Sequence, residues 1–241
     1  MNRSAQPTIY ETVISRTPTP PDTPLRFAAR DVLFGQVWAR PGLTLRQRRW
    51  ISLTAAALGG PGIGSESHVY GALHSGDISL AELREFVLHL APLAGWPRVA
   101  WLDGLISATA RDLGDAIDPE PTGTAEPWPA LDLSELASSS SGTPLQTLLG
   151  DAVQYGIIWS RPALPGGDRR LISIVALAVE RAAELVAGHV ADALDAQELD
   201  TTALRELALH TGFYAGLPAA RLIDDAITAA ALRVDDSGKD G

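Results

Sequence analysis

Residues 35–58 read GQVWARPGLTLRQRRWISLTAAAL, and residues 156–179 read GIIWSRPALPGGDRRLISIVALAV. In both stretches a tryptophan, an Arg-Pro pair, a double arginine and an Ile-Ser pair fall at matching positions, 121 residues apart (159 − 38). Proline lacks a backbone N–H and pushes the residue before it out of the α region, so Trp-x-Arg-Pro predicts the end of a helix. The apolar positions that follow predict a second, amphipathic helix.

The likeness between the two stretches continues without a gap along the chain. The same shift aligns His68 with His189, Leu83-Arg84-Glu85 with Leu204-Arg205-Glu206, His89 with His210, and Ala94-Gly95 with Ala215-Gly216. A gapless match of this length indicates a duplication, so the chain contains two copies of one structural unit.

Both copies are predicted to be helical. Ser79 followed by Glu82 is a capping box that starts a helix, and Gly95 and Pro97 mark its end and the start of the next. The second copy repeats this pattern, with Asp200 or Thr201 as the cap. We therefore predict an all-α protein of two tandem helical repeats, over residues 25–113 and 143–233.

The remaining segments are predicted to be connections. Residues 1–24 are rich in proline and are expected to form an arm without regular structure. Residues 114–142 are rich in Pro, Ser, Thr and acidic residues, which predicts a linker, with one short helix around Leu131–Leu136. Residues 234–241 are expected to be a disordered tail.

Composition excludes several classes of function. The 241 residues contain no cysteine, which excludes disulfides, thiolate nucleophiles and zinc–thiolate sites. A formal net charge of −10 argues against nucleic-acid binding. No apolar run reaches the roughly 18 residues that span a bilayer, and no signal peptide is evident, so we expect a cytoplasmic protein. The glycine-rich residues 59–64 lack the lysine of a phosphate-binding loop.

Histidine is the strongest candidate for chemistry. Four of the five histidines form two pairs matched across the repeats, and only His74 has no counterpart. Histidine is the side chain most easily poised for proton transfer near neutral pH. A structural role, with the imidazole bonded to backbone, remains open, especially for His89 and His210. The histidine spacings of known metal motifs are absent, so we predict neither a metal nor another cofactor.

The order of these features resembles the carboxymuconolactone decarboxylase family. W-x-R-P, an apolar helix, a lone histidine and L-H-x-x-x-x-A-G-x-P occur in this order within residues 28–110 and again within residues 148–230. The resemblance implies an all-α pseudo-dimer, three chains of which would form the hexameric ring of the family. Relatives of the alkyl hydroperoxidase D type use a Cys-x-x-Cys pair, so thiol peroxidase activity is excluded here.

The resemblance implies a cofactor-independent lyase, or a related isomerase or lactone-processing enzyme. The substrate class is a small carboxylated or polyketide-like ring compound, and loss of CO₂ beside its carbonyl group leaves a dienolate. Such a reaction needs a group that stabilises the oxyanion and an acid that protonates carbon. The candidate catalytic residues are His68, His189, Arg40, Arg161, His89 and His210. The candidate substrate-binding residues are Trp38, Trp159, Glu66, Glu184 and Tyr70.

In this hypothesis Arg40 and Arg161 bind the carboxylate or the oxyanion. His68 or His189 is the acid–base group, and His89 or His210 supports it or transfers a second proton. Two alternatives remain at this point: a non-catalytic ligand-binding or assembly protein of the same fold, and an enzyme of cofactor-free oxygenation in secondary metabolism.

Overall fold

The computed structural model describes residues 7–118, 128, 143 and 145–237, and these residues form helices without any strand. The first repeat contains α1 (Ile9–Ile14), α2 (Pro24–Ala28) with a π-helical continuation (Ala29–Val37), α3 (Leu45–Gly59), α4 (Ile63–Ser75), α5 (Leu80–Ala94), α6 (Trp96–Leu113) and a 3-10 turn (Gly114–Ala116). The second contains the π-helical α7 (Leu145–Ile158), α8 (Gly166–Val179), α9 (Ala183–Asp195), α10 (Thr201–Ala215) and α11 (Leu217–Ser237).

The helix ends follow the local sequence signals. Ser79 caps α5 through the predicted capping box, and Asp200 caps α10 by accepting a hydrogen bond from the backbone of Ala203. Gly95 and Gly216 end the same two helices with φ of 92° and 88°, a region that favours glycine. Equivalent ends therefore give α5 and α10 the same length and orient their histidines alike.

The Trp-x-Arg-Pro sequences end the two π-helical stretches. The backbone N–H of Trp38 donates to Leu33, and that of Trp159 donates to Gln154, each bond spanning five residues. Such windings are rare and are often found at functional sites. Both indole rings consequently leave the backbone at matching places.

The two repeats interlock around one apolar core. The equivalent helices α3 and α8 pack against each other at its centre. Helix α10 of the second repeat packs on α3, and α5 of the first repeat packs on α8. This exchange confirms the predicted pseudo-dimer of tandem repeats and places side chains of both repeats in each of two equivalent regions.

The expectation of an irregular N-terminal arm is wrong for residues 9–14. Thr8 and Glu11 form a capping box that starts α1, and the helix lies between prolines. Val13 and Ile14 are buried against Phe34 and Trp38, so their burial stabilises the short helix.

At the other end of the chain, α11 continues to Ser237 and so includes the start of the predicted tail. The predicted helix at 131–136 lies outside the described residues.

Helix α1 rests on α4 at a glycine. A Cβ atom added to Gly71 would lie 2.1 Å from the carbonyl oxygen of Val13, closer than any real contact. We expect Gly71→Ala to displace α1 and to speed trypsin cleavage after Arg16. Gly64→Ala in the same helix is the matched control, because nothing lies within 4 Å of an added Cβ atom there. Equal cleavage of both variants would contradict the packing of α1 on α4.

Candidate active site between the repeats

The two tryptophans and the four paired histidines among the predicted site residues form two clusters, and each cluster contains side chains of both repeats. In the first cluster, Trp38 stacks on His68 with ring centroids 6.0 Å apart and meets His210 edge-on at 4.9 Å. The indole N–H of Trp38 donates to the hydroxyl oxygen of Tyr214 at 2.9 Å. Tyr214 stacks on His210, with the ring of His68 5.2 Å from its own.

The second cluster has the same arrangement of one tryptophan and two histidines. Here the second repeat supplies the tryptophan and one histidine, and the first repeat supplies the other histidine. Trp159 stacks on His189 at 6.0 Å and meets His89 at 5.5 Å. The structure therefore pairs His68 with His210 and His89 with His189, whereas the duplication pairs each histidine with its sequence equivalent. The exchange of α5 and α10 between the repeats causes this crossing.

Hydrogen bonds fix the tautomer of His210. Arg48 Nη1 lies 3.2 Å from His210 Nδ1, and Ser52 Oγ lies 2.9 Å from His210 Nε2. A guanidinium only donates, so Nδ1 accepts and Nε2 carries the hydrogen that it donates to Ser52. His89 has the same surroundings, with Arg169 at 3.5 Å and Ser173 at 2.9 Å.

Arg40 and Arg161 bind glutamates of the opposite repeat. Arg40 Nε donates to the two carboxylate oxygens of Glu206 at 3.0 and 2.9 Å, and Arg161 Nε donates to those of Glu85 at 2.8 Å each. The buried Arg48 also donates to Glu206, at 3.3 Å. Each Trp-x-Arg-Pro turn is thus tied to the helix that carries the opposite histidine. A carboxylate of the protein thus already occupies each of the two guanidiniums that were expected to bind the substrate carboxylate or the oxyanion.

His68 differs from the other three paired histidines. Its side chain is 5% exposed, and Nδ1 is buried without a hydrogen-bond partner among the described residues. The equivalent atom of His189 accepts a hydrogen bond from Arg170 Nη1 at 3.1 Å. Arg49, the counterpart of Arg170, instead donates to backbone carbonyls of α1, at 2.6 Å to Val13. The docking of α1 on Arg49 therefore leaves Nδ1 of His68 without a hydrogen bond.

Burial keeps all four paired histidines neutral. Desolvation, with a smaller effect of the nearby Arg49, lowers the pKa of His68 to about 3. The same cause lowers the pKa of His89 to about 3 and that of His189 to about 4, and holds the pKa of His210 well below its usual value. Desolvation raises the pKa of Tyr214 to about 12. At neutral pH these groups are uncharged donors and acceptors.

These shifts predict acid sensitivity of the fold. As the pH falls from about 6.5 toward about 4, the unfolded chain binds protons at these histidines and the folded chain does not. The free energy of unfolding should therefore decrease on acidification, by up to about 1.4 kcal/mol per pH unit for each histidine. Urea unfolding at pH 7, 6 and 5 measures how steeply the free energy of unfolding changes with pH. His210→Gln should reduce this slope by the contribution of one histidine. A free energy of unfolding that stays constant over this pH range would contradict the conclusion that the histidines are buried in their neutral form.

Three predicted substrate-binding residues lie apart from both clusters. The ring of Tyr70 stacks on His74 at 5.4 Å and lies under the guanidinium of Arg16. Glu66 and Glu184 are exposed on α4 and α9.

Sequence reasoning missed Arg48, Ser52 and Glu206 as neighbours of His210. The signal was present, since each of them matches a residue of the same type in the other repeat. Within the described ranges, no group of three or more His, Cys, Asp or Glu side chains is placed to hold a metal ion.

Comparison with known proteins identifies the family. The profile of the "Carboxymuconolactone decarboxylase family" matches the chain twice, over residues 27–106 and 151–231. The chain therefore belongs to the carboxymuconolactone decarboxylase family and carries two copies of its domain. A search among curated proteins found no significant match. None of the helices in the described part of the chain is both long and apolar enough to cross a membrane.

Proposed function

We propose that this protein is a cofactor-independent enzyme that decarboxylates or isomerises a small carboxylated ring compound, such as a lactone, with His68 as the acid–base group. The observation that carries the proposal is the buried imidazole of His68, which stacks on Trp38 and has an unpartnered Nδ1. A buried polar atom without a partner costs free energy, and a bound substrate would supply the missing hydrogen bond.

The reaction follows from these side chains. Loss of CO₂ breaks a carbon–carbon bond, and its electron pair passes through the conjugated ring to the carbonyl oxygen. The negative charge of the bound substrate favours the imidazolium, so His68 takes up a proton from solvent as substrate binds. His68 then delivers this proton to the ring carbon, and the net reaction consumes one proton and releases CO₂. In an isomerisation, the neutral imidazole moves a proton between two ring carbons.

The neighbouring groups hold the imidazoles in place. Arg40 fixes Glu206, which binds Arg48, and Arg48 orients His210 through Nδ1. We assign Arg40 and His210 to positioning in the first cluster, with Arg161 and His89 equivalent in the second. Trp38 and Trp159 form the apolar walls that exclude water.

Substrate must reach His68 past α1. Val13 and Ile14 pack on Trp38, so we expect substrate to enter when α1 lifts from α4. The variant Gly71→Ala, which displaces α1, should bind substrate faster than Gly64→Ala.

The activity is tested with carboxymuconolactone, followed by a panel of carboxylated lactones and aromatic acids. The proposal expects loss of the ring chromophore and release of one CO₂ per turnover, without added metal or cofactor. Oxygen consumption coupled to turnover would instead indicate oxygenation. Ligand binding across the panel without any conversion would indicate a non-catalytic binding protein.

We also propose that three chains assemble into a ring in the cytoplasm. Leu209 and Phe213 lie one turn apart on α10 and are 38% and 46% exposed, and the nearby Leu217 is 62% exposed. Exposed apolar groups of this kind favour association with another chain. Light scattering should give about 76 kDa (3 × 25.4). A monomer would contradict the ring.

A further inference from the structure

We infer that Tyr214 is a catalytic residue that donates its hydroxyl hydrogen to the substrate oxygen on which negative charge develops, and that this restricts the reaction to the first cluster. The inference rests on the proposed function, since it names the group that stabilises the enolate. Tyr214 has no tyrosine counterpart in the first repeat, so the duplication does not identify it as a candidate. Its presence makes the two clusters chemically different.

The direction of the hydrogen bonds carries the argument. Arg48 can only donate, so His210 donates from Nε2 to Ser52. Both ring nitrogens of His210, which stacks on Tyr214, are therefore occupied. Trp38 donates to the hydroxyl oxygen of Tyr214 at 2.9 Å. The indole N–H can only donate, so this oxygen is the acceptor of the bond.

The hydroxyl hydrogen of Tyr214 remains available. The oxygen accepts from Trp38, and the hydrogen bonds of the described residues include no acceptor for the hydroxyl hydrogen. Tyr214 lies beside His68, with 5.2 Å between ring centroids. A substrate that contacts Nδ1 of His68 is therefore within reach of a neutral phenol donor. The incoming hydrogen bond from Trp38 also strengthens that donor.

The second cluster lacks this donor. The shift of 121 residues places Leu93 at the position of Tyr214 (214 − 93), and leucine cannot donate a hydrogen bond. The indole Nε1 of Trp159, whose counterpart binds Tyr214, is buried without a partner among the described residues. In that cluster Nδ1 of His189 is also occupied by Arg170. The second cluster thus has neither an unpartnered Nδ1 nor a phenol at the position equivalent to Tyr214.

The step is a hydrogen bond rather than a proton transfer. As the bond to CO₂ breaks, its electron pair moves to the ring carbonyl oxygen, and the O–H of Tyr214 stabilises this oxyanion without losing its proton. The proton that finally bonds to carbon comes from His68. Tyr214 is unchanged at the end of the cycle.

Turnover of carboxymuconolactone by Tyr214→Phe tests the inference. Removing one oxyanion donor should lower kcat by about 10²- to 10³-fold and change KM by less than about threefold. Tyr155→Phe is the matched control, because Tyr155 lies beside Trp159 and is 54% exposed, and it should retain wild-type kcat. Ser52→Ala keeps the Tyr214 hydroxyl and should lose less than Tyr214→Phe. Wild-type kcat in Tyr214→Phe would overturn the inference.

Binding of 4-nitrophenolate, a mimic of the enolate oxygen, separates this inference from the proposed function. Tyr214→Phe should weaken binding by about 10- to 100-fold, whereas the control Tyr155→Phe should leave it unchanged. If the lactone is not converted at all, the proposed function fails, and the phenolate result still decides the role of Tyr214. Equal affinity of Tyr214→Phe and the wild type, or no binding to the wild type, would overturn the inference. Thermal unfolding of each variant confirms that it is folded.

Discussion

His68→Gln is expected to reduce turnover of the substrate by about 10²- to 10⁴-fold, the usual contribution of a general acid–base group. Glutamine is close to histidine in size, so the packing against Trp38 and Tyr214 should survive. The amide cannot take up and deliver a proton at neutral pH, so the loss should fall on kcat. Steady-state kinetics with carboxymuconolactone, together with thermal unfolding, measures both effects.

Two further variants locate the chemistry. His74→Gln is the control, because His74 is exposed and lies outside both clusters. His189→Gln reports on the second cluster and should cost less than His68→Gln, because Nδ1 of His189 is already bonded to Arg170. A larger loss in His189→Gln would place the reaction in the second cluster.

Glu206→Ala is expected to destabilise the protein by about 3–5 kcal/mol, the cost of leaving a buried charge without its partner. Arg48 is 1% exposed and makes its ion pair with Glu206, which also binds Arg40. The guanidinium of Arg40 holds the pKa of Glu206 below its usual value, so the carboxylate is charged at neutral pH. Urea denaturation gives the change in the free energy of unfolding.

The matched control removes a carboxylate from an exposed pair. Asp224 bonds Arg205 at 2.8 Å, and the side chains of this pair are about half exposed. Asp224→Ala should cost less than about 1 kcal/mol, since water screens exposed pairs. Similar losses of unfolding free energy in Asp224→Ala and Glu206→Ala would contradict the conclusion that Glu206 links the two repeats.

The fold was predictable because the repeat carries its own signals. Pro41 and Pro162 mark the ends of the π-helical stretches, and the capping residues Ser79 and Asp200 mark the starts of α5 and α10. These signals depend on local physics and not on distant contacts. Helix α1 was not predicted because the prolines around it indicate irregular structure, although a capping box starts the helix. In addition, the burial of Val13 depends on Trp38, which is a tertiary neighbour.

The candidate site was only partly predictable. Duplication singles out His68 and His210 as residues retained in both copies, but it cannot show that α5 and α10 exchange partners. Arg40 was expected to bind substrate because an arginine in a sequence shows no partner, and Glu206 lies 166 residues away. Tyr214 could not be found in this way, since its equivalent is Leu93 and the duplication therefore gives no signal.

The most direct test of the account is nitrogen NMR of ¹⁵N-labelled histidine side chains, with and without carboxymuconolactone. We expect the His68 signals to show a neutral imidazole from about pH 8 to 5, because its pKa is lowered to about 3, and to shift when the lactone is added. The signals of His74 should not shift with the ligand. If His68 instead titrates near 6.5 and does not respond to the lactone, then it is neither buried nor at the reacting centre, and the proposed active site is wrong.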